Sequence, residues 1–333
     1  MFNILYIERN RRAGFSISKV FSPIIDRVKD FRRIELPSWR AKPEDLMKNL
    51  LYVYKNRNKN GINHITGDTH YVIFALIGLK TVLTIHDTIN YEAFTGVKRF
   101  IAKYLWYIFP VKIATKVVCI SNETKRKVIA VTKCKPKKIT VIYNPIHDGF
   151  RQKEKVFNEE CPTILHIGTR ENKNLIRVAE ALNGIKCNLR IIGILTDEQK
   201  TILDQNKIKY TNTYNLTDEE IINEYENCDI VSFPSTFEGF GMPIIEGNKV
   251  GRPVITSNIE PMIEIAGGSA ILVNPYDTDS IRNGFMQIIS DSKFRSEMVN
   301  KGYENVSRFD PDIITQQYKE LYKTVSFQNW RID

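Results

Sequence analysis

Short apolar runs rich in β-branched residues alternate with helix-length stretches, and the alternation occurs twice along the 333 residues. In the first half the runs are Asn3–Ile7, Asn63–Thr66, Thr81–Ile85, Lys116–Ile120 and Ile139–Tyr143. In the second half they are Thr163–Ile167, Leu189–Ile192, Ile230–Phe233, Pro253–Thr256 and Ala270–Val273. Buried strands separated by helices build parallel sheets from βα units, so the pattern predicts an α/β chain with two doubly wound sheets. A polar stretch from Pro145 to Pro162, carrying Arg151-Gln-Lys-Glu-Lys and Asn158-Glu-Glu, reads as a linker. It places one domain at residues 1–150 and another at 160–305, with a cleft expected between the two sheets. Ligands of such sheets sit beyond the carboxyl ends of the strands. The notable polar residues follow strands in that way: Gly67-Asp68, His86-Asp87, Ser121-Asn122, Asn144, Gly168-Thr169 and Glu238.

Two further segments read as helices. Asp310–Val325 opens with Asp310-Pro-Asp and carries Tyr318, Leu321 and Tyr322. Residues 97–109 put Val97, Phe100, Ile101, Tyr104, Leu105 and Ile108 on one face at the helical period. The opposite face collects Lys98, Arg99, Lys103, Trp106 and Phe109, which suits contact with an anionic membrane surface. Packing of both faces within the protein is the alternative.

Composition narrows the class. Hydrophobic residues make up 42% and charged residues 26%, as in a soluble globular protein. The longest apolar stretch, Tyr71–Leu79, is too short to span a bilayer. Met1–Glu8 has no basic leader region and reads as a first strand. Five cysteines without paired spacing predict free thiols in a reducing cytoplasm and no zinc site. Charge is divided unevenly: residues 1–155 carry a balance of +18 and residues 156–333 one of −8, within a total of +10. The basic half is expected to meet something anionic.

The chemistry concentrates in residues 237–247, Phe-Glu-Gly-Phe-Gly-Met-Pro-Ile-Ile-Glu-Gly. Glycines there let backbone amides approach a ligand closely. Pro243 suits a helix start, because its missing N–H would lack a partner there. A new helix offers free N–H groups and a positive dipole end to a phosphate. Glu246, placed in the first helical turn, would accept hydrogen bonds from a ribose diol, and Glu238 before the turn would face a sugar beside the phosphates. The segment resembles the E-x7-E signature of glycosyltransferase family 4, whose members have the GT-B architecture and retain anomeric configuration. The resemblance implies two Rossmann-like domains facing a central cleft, with the terminal helix, 310–333, crossing back onto the first.

By the same resemblance, residues 166–174 form the loop that places cations on a donor diphosphate, with Gly168, Thr169, Arg170 and Lys173 as donor-binding residues. Gly239, Phe240, Gly241, Met242 and Glu246 complete the donor site. Glu238, His86 and Asp87 are the candidate catalytic residues. The structural alternative for the 166–174 loop is an Asn174 helix cap with solvated neighbours. The first loop, with Gly14, Arg11 and Arg12, is the candidate acceptor-binding element. Asp277-Thr-Asp279 and Asp310-Pro-Asp312 precede helices and read as caps, so no metal or other cofactor is expected. The expected activity is transfer of a hexose from a UDP- or GDP-sugar to a glycan or polyprenyl-diphosphate-linked sugar, as in bacterial polysaccharide assembly. Cytoplasmic placement, peripheral at the inner face of the plasma membrane, goes with it, and no nucleic acid is expected. Nucleotide-sugar 2-epimerases of the same architecture, and non-catalytic nucleotide-sugar or nucleic-acid binders, are the alternatives.

Overall fold

A computed structural model describes residues 3–13 and 16–328. The chain divides into two compact units, Met1–His147 with Asp310–Asp333, and Asp148–Phe309. Each contains one six-stranded sheet in which every neighbouring pair is parallel.

The first unit contains β1 (Ile4–Glu8), β2 (Phe31–Glu35), β3 (Ile62–Ile65), β4 (Thr81–Ile85), β5 (Lys116–Cys119) and β6 (Ile139–Val141). Its spatial order is β2-β1-β3-β4-β5-β6. The second unit contains β7 (Thr163–Ile167), β8 (Asn188–Ile192), β9 (Tyr210–Thr213), β10 (Ile230–Phe233), β11 (Val254–Ser257) and β12 (Ile271–Val273). Its order is β12-β11-β10-β7-β8-β9. Strand order therefore reverses between β1 and β3 in one sheet and between β7 and β10 in the other. Those switch points, at the carboxyl ends, are where such sheets take ligands.

The sequence pattern missed β2 and β9. Both are sheet edges. Phe-Arg-Arg-Ile-Glu buries only Ile34, and Tyr-Thr-Asn-Thr buries nothing fully, so neither has the apolar run of a covered strand.

Successive residues of β1 feed opposite faces of the first sheet. Leu5 and Ile7 join Ile65, Leu83, Ile85 and Val117 on one side. Ile4 and Tyr6 join Phe21, Ile62, Val82 and Val118 on the other. That second face is closed by helices Ser16–Asp26 and Pro311–Phe327, the latter contributing Ile314, Tyr318, Leu321, Tyr322 and Val325. A buried polar chain ties the last helix down: the Tyr322 hydroxyl lies 2.7 Å from His64 Nδ1 and donates to the Tyr6 hydroxyl at 3.2 Å. His64 Nε2 lies 2.8 Å from the Thr84 hydroxyl. In the second unit, helices Leu175–Leu182 and Thr278–Ser290 share one core with β7, β8, β11 and β12.

Local chemistry sets the helix starts. Thr196 with Gln199, and Thr217 with Glu220, form reciprocal capping boxes. The Ser121 hydroxyl accepts from Thr124 N at 3.1 Å, as its place before a helix predicts. Asp277 accepts from Asp279 N and Ser280 N, and Asp310 accepts from Asp312 N, so one carboxylate of each Asp-x-Asp triplet is a helix cap.

The 97–109 segment departs from its prediction. The helix Gly96–Ala102 passes into a π-helical stretch, Lys103–Ile108, before resuming at Phe109–Ile113. The wider turn breaks the regular register. Val97 and Phe100, expected to share a face with Tyr104 and Ile108, are 74% and 62% exposed. Trp106, expected on the outward basic face, instead turns inward. Its Nε1–H donates to Asp68 O at 3.0 Å and its ring lies 5.2 Å from that of Tyr71.

Candidate active site

In the second unit, two loops meet at the β7/β10 switch point. After β7 the chain turns at Gly168 (φ +94°) and reaches a short 3-10 turn, Glu171–Lys173. The Lys173 stem crosses this glycine so closely that a Cβ there would lie 2.8 Å from Lys173 Cγ. Glycine is thus required twice, by its dihedral angle and by the lysine's path. Lys173 Nζ donates to Glu238 Oε1 at 2.6 Å and sits 4.8 Å from the Phe233 ring centroid. Asn172 Nδ2 donates to Phe237 O at 2.9 Å and to the same Glu238 oxygen at 3.2 Å.

Asn174 occupies the cap position of helix Leu175–Leu182, but its side chain makes no cap hydrogen bond. Its backbone is left-handed (φ +65°), and its buried Nδ2 donates to Pro234 O and Pro275 O at 3.0 and 2.6 Å. It fastens three loops together. The Arg170 side chain is exposed and has no partner among the described residues. Thr169 Oγ1 donates to Ile194 O at 2.7 Å, joining its loop to the one after β8.

The second loop ends at Gly241 (φ +121°), where helix Met242–Val250 begins with Pro243 as its second residue. Phe240 points into the core, its ring edge-on to Phe309 at 5.8 Å. Glu246 is the fifth residue of the helix, just past the first turn where sequence reasoning put it. The hydroxyl of Tyr225 donates to its Oε2. Tyr225 is fully buried, and burial, followed by the Glu246 charge, pushes its pKa well above the usual phenol value. It therefore stays a donor and fixes the carboxylate. Sequence reasoning missed this residue; its one signal was a tyrosine shortly before a buried strand.

In the first unit, His86 and Asp87 follow β4. His86 Nε2 lies 2.8 Å from Thr66 O. A carbonyl only accepts, so Nε2 carries the proton and Nδ1 is the acceptor. Burial lowers the His86 pKa, which keeps the ring neutral. Asp87 Oδ1 accepts from Ile89 N at 3.0 Å. Burial raises its pKa, and Asp68 and Glu92 add to the shift against the Ile89 N–H and His70. Asp87 thus organises its own turn.

Arg11 and Arg12 are exposed, the former 3.2 Å from Glu35 Oε2, and Gly14 lies outside the described residues. Their neighbours Arg9, Asn10 and Ala13 instead line a cavity of about 540 Å³ with Trp39, Arg40, Asp68, Lys98 and Trp106. Among the described residues no cluster of three or more His, Cys, Asp or Glu side chains is arranged for a metal ion.

Two family models match consecutive stretches: "Glycosyltransferase Family 4" over residues 19–149 and "Glycosyl transferases group 1" over residues 149–305. The chain belongs to glycosyltransferase family 4. The junction of the two matches falls within two residues of the boundary between the compact units. The O-antigen chain mannosyltransferase B of Escherichia coli is 30% identical to this chain over 106 residues, covering 32% of this chain and 28% of that protein. The E. coli mannosyltransferases it matches are aligned over 28–30% of their own length. A longer match is to the E. coli UDP-Gal:alpha-D-GlcNAc-diphosphoundecaprenol alpha-1,3-galactosyltransferase, 26% identical over 322 residues, 83% of this chain and 79% of that one. The crystal structure of Anabaena HepE in complex with UDP and glucose superposes with a TM-score of 0.78 at 16% identity, covering 97% of this chain and all of that one. The fold is GT-B.

Proposed function

We propose that this protein is a retaining hexosyltransferase that moves a sugar from a UDP- or GDP-sugar to a hydroxyl of a glycan or polyprenyl-diphosphate-linked sugar in bacterial polysaccharide assembly. The observation that carries the reading is the Lys173–Glu238 contact at 2.6 Å, held by Asn172 beside the Gly241 helix start. A leaving diphosphate needs positive charge as its bond to the sugar breaks. Lys173 and the N-terminal amides of helix Met242–Val250 supply it, with the Gly239–Met242 backbone as the close approach. Glu246, fixed by Tyr225, takes the ribose. Glu238 orients the transferred sugar. Because the lysine and the helix end meet the diphosphate charge, transfer proceeds without a metal and survives EDTA.

UDP and UDP-galactose are named for the HepE complex and the galactosyltransferase relative, which favours a uridine donor here. The diphosphoundecaprenol of that relative's name favours a lipid-linked acceptor. No helix among the described residues is long and apolar enough to cross a membrane. Contact with an anionic membrane is instead assigned to helix Gly96–Ala102, whose exposed Val97 and Phe100 flank Lys98 and Arg99.

The test is a thermal-shift screen of UDP, GDP, ADP and their hexose conjugates on the wild type and Glu246→Ala, followed by transfer of labelled sugar. Stabilisation by one nucleotide that disappears in the variant, with label moving to an added acceptor, is expected. Label staying on the nucleotide as its 2-epimer would replace the transferase reading by the epimerase one. No stabilisation by any nucleotide would remove the donor site.

A further inference from the structure

The 540 Å³ cavity of the first unit lies at the β1/β3 switch point. Arg9 follows β1, Trp39 and Arg40 follow β2, and Asp68 follows β3, so three strand ends converge on it. Its volume is within the roughly 300–1,000 Å³ of small-molecule sites. Its walls combine two features that rarely meet by accident. One is apolar: the Trp106 indole is locked by its bond to Asp68 O, and Trp39, 49% exposed, adds a second indole face. The other is cationic. Arg9 is paired with Asp68 at 3.3 Å, but Arg40 and Lys98 have no carboxylate partner among the described residues. Arg40 lies over the Trp39 ring at 5.3 Å.

A neutral sugar site would need matched acceptors and donors, yet the one carboxylate here is already occupied by Arg9. An anion with an apolar body satisfies both walls: two uncompensated cations face its charge and the indoles cover its chain. Exposed Val97 and Phe100 extend the apolar surface outward from Lys98.

We propose that this cavity binds an alkyl or polyprenyl phosphate or diphosphate, the lipid-phosphate end of the acceptor, through Arg40, Lys98, Trp39 and Trp106. The assignment rests on the transferase reading for its role, but not for the binding itself. It moves the acceptor site from Arg11 and Arg12 to their neighbours.

The chain has three tryptophans, two of them in this cavity, so binding is readable by intrinsic fluorescence in a Trp330→Phe background. Dodecyl phosphate, below its micelle concentration, is titrated beside dodecyl maltoside and inorganic phosphate. Saturable quenching by dodecyl phosphate is expected, weakened about tenfold or more in Arg40→Ala/Lys98→Ala, as expected for lost charge-assisted contacts. Both side chains are exposed, so that variant keeps its fold. Equal binding of the maltoside would overturn the anionic part, and equal binding of inorganic phosphate the lipid part. No saturable response would overturn both. UDP stabilisation, measured on the same samples, separates the outcomes: lost donor binding with intact dodecyl phosphate binding refutes the transferase reading and leaves the cavity's ligand standing.

Discussion

The two sheets place their candidate sites at the same topological position and furnish them in opposite ways. At β7/β10 the groups are polar, short-range and tied together in advance: Lys173 to Glu238, Asn172 to Phe237 and Glu238, Tyr225 to Glu246. At β1/β3 the walls are indoles, and two of the three cations stand apart from any carboxylate among the described residues. A preorganised site suits a ligand whose charge changes during reaction. An apolar cavity with loose cations suits one that is merely held. On this view the second unit carries the chemistry and the first unit sets the partner.

The sharpest break of the comparison is Lys173→Ala. Sugar transfer should fall by roughly a hundredfold or more in kcat/KM, while the melting temperature hardly moves, because the ion pair is partly solvated. A parallel collapse of stability would mean that Lys173 holds the loop rather than the diphosphate.

Acid should act on both units. Burial pulls the pKa of His64 in the first, and of His166 in the second, from 6.5 down to about 3. The unfolded chain then binds more protons than the folded one between those values, so stability falls as pH drops below 6.5. Each histidine costs about 2 kcal/mol by roughly pH 5. Urea melts of His64→Gln and His166→Gln, taken at several pH values, should each show a flatter acid limb. An unchanged pH slope in both would refute this origin.

Tyr225→Phe removes one hydroxyl from a fully buried ring. Nucleotide affinity should weaken by about 1 kcal/mol, five- to tenfold, measured by calorimetry, and the same substitution should leave acceptor binding untouched. The smallest effect is expected at Arg12→Ala: being exposed, it should change acceptor KM by no more than about twofold. A large rise would return the acceptor to the first loop.

Legibility followed the same division. The loops after β7 and β10 announced themselves because glycines there are demanded by backbone geometry, at Gly168 and Gly241 above all. Covered strands were readable from apolar runs, whereas β2 and β9 bury too few side chains to carry such a run. In a linear sequence Tyr225 looks like an ordinary core aromatic, and Trp106 like part of an outward basic face. Their roles come from partners 21 and 38 positions away. The face of the 97–109 helix was misjudged because a regular 3.6-residue period was assumed through a π-helical stretch that no residue type signals. The 166–174 loop follows β7, as the apolar run before it implies, whereas the distant carbonyl partners of Asn174 leave no mark in a linear sequence.

The last helix has a consequence for synthesis. Tyr318, Leu321 and Tyr322 close the face of the first sheet that carries Ile4, Tyr6 and Phe21. A ribosome adds roughly 5–20 residues per second. The whole Asp148–Phe309 unit must therefore be made before that face is covered. The earliest strands wait, with apolar surface open, for the segment that completes them. The second unit can close first, and the nascent chain is most vulnerable to aggregation and proteolysis in the half that was made earliest.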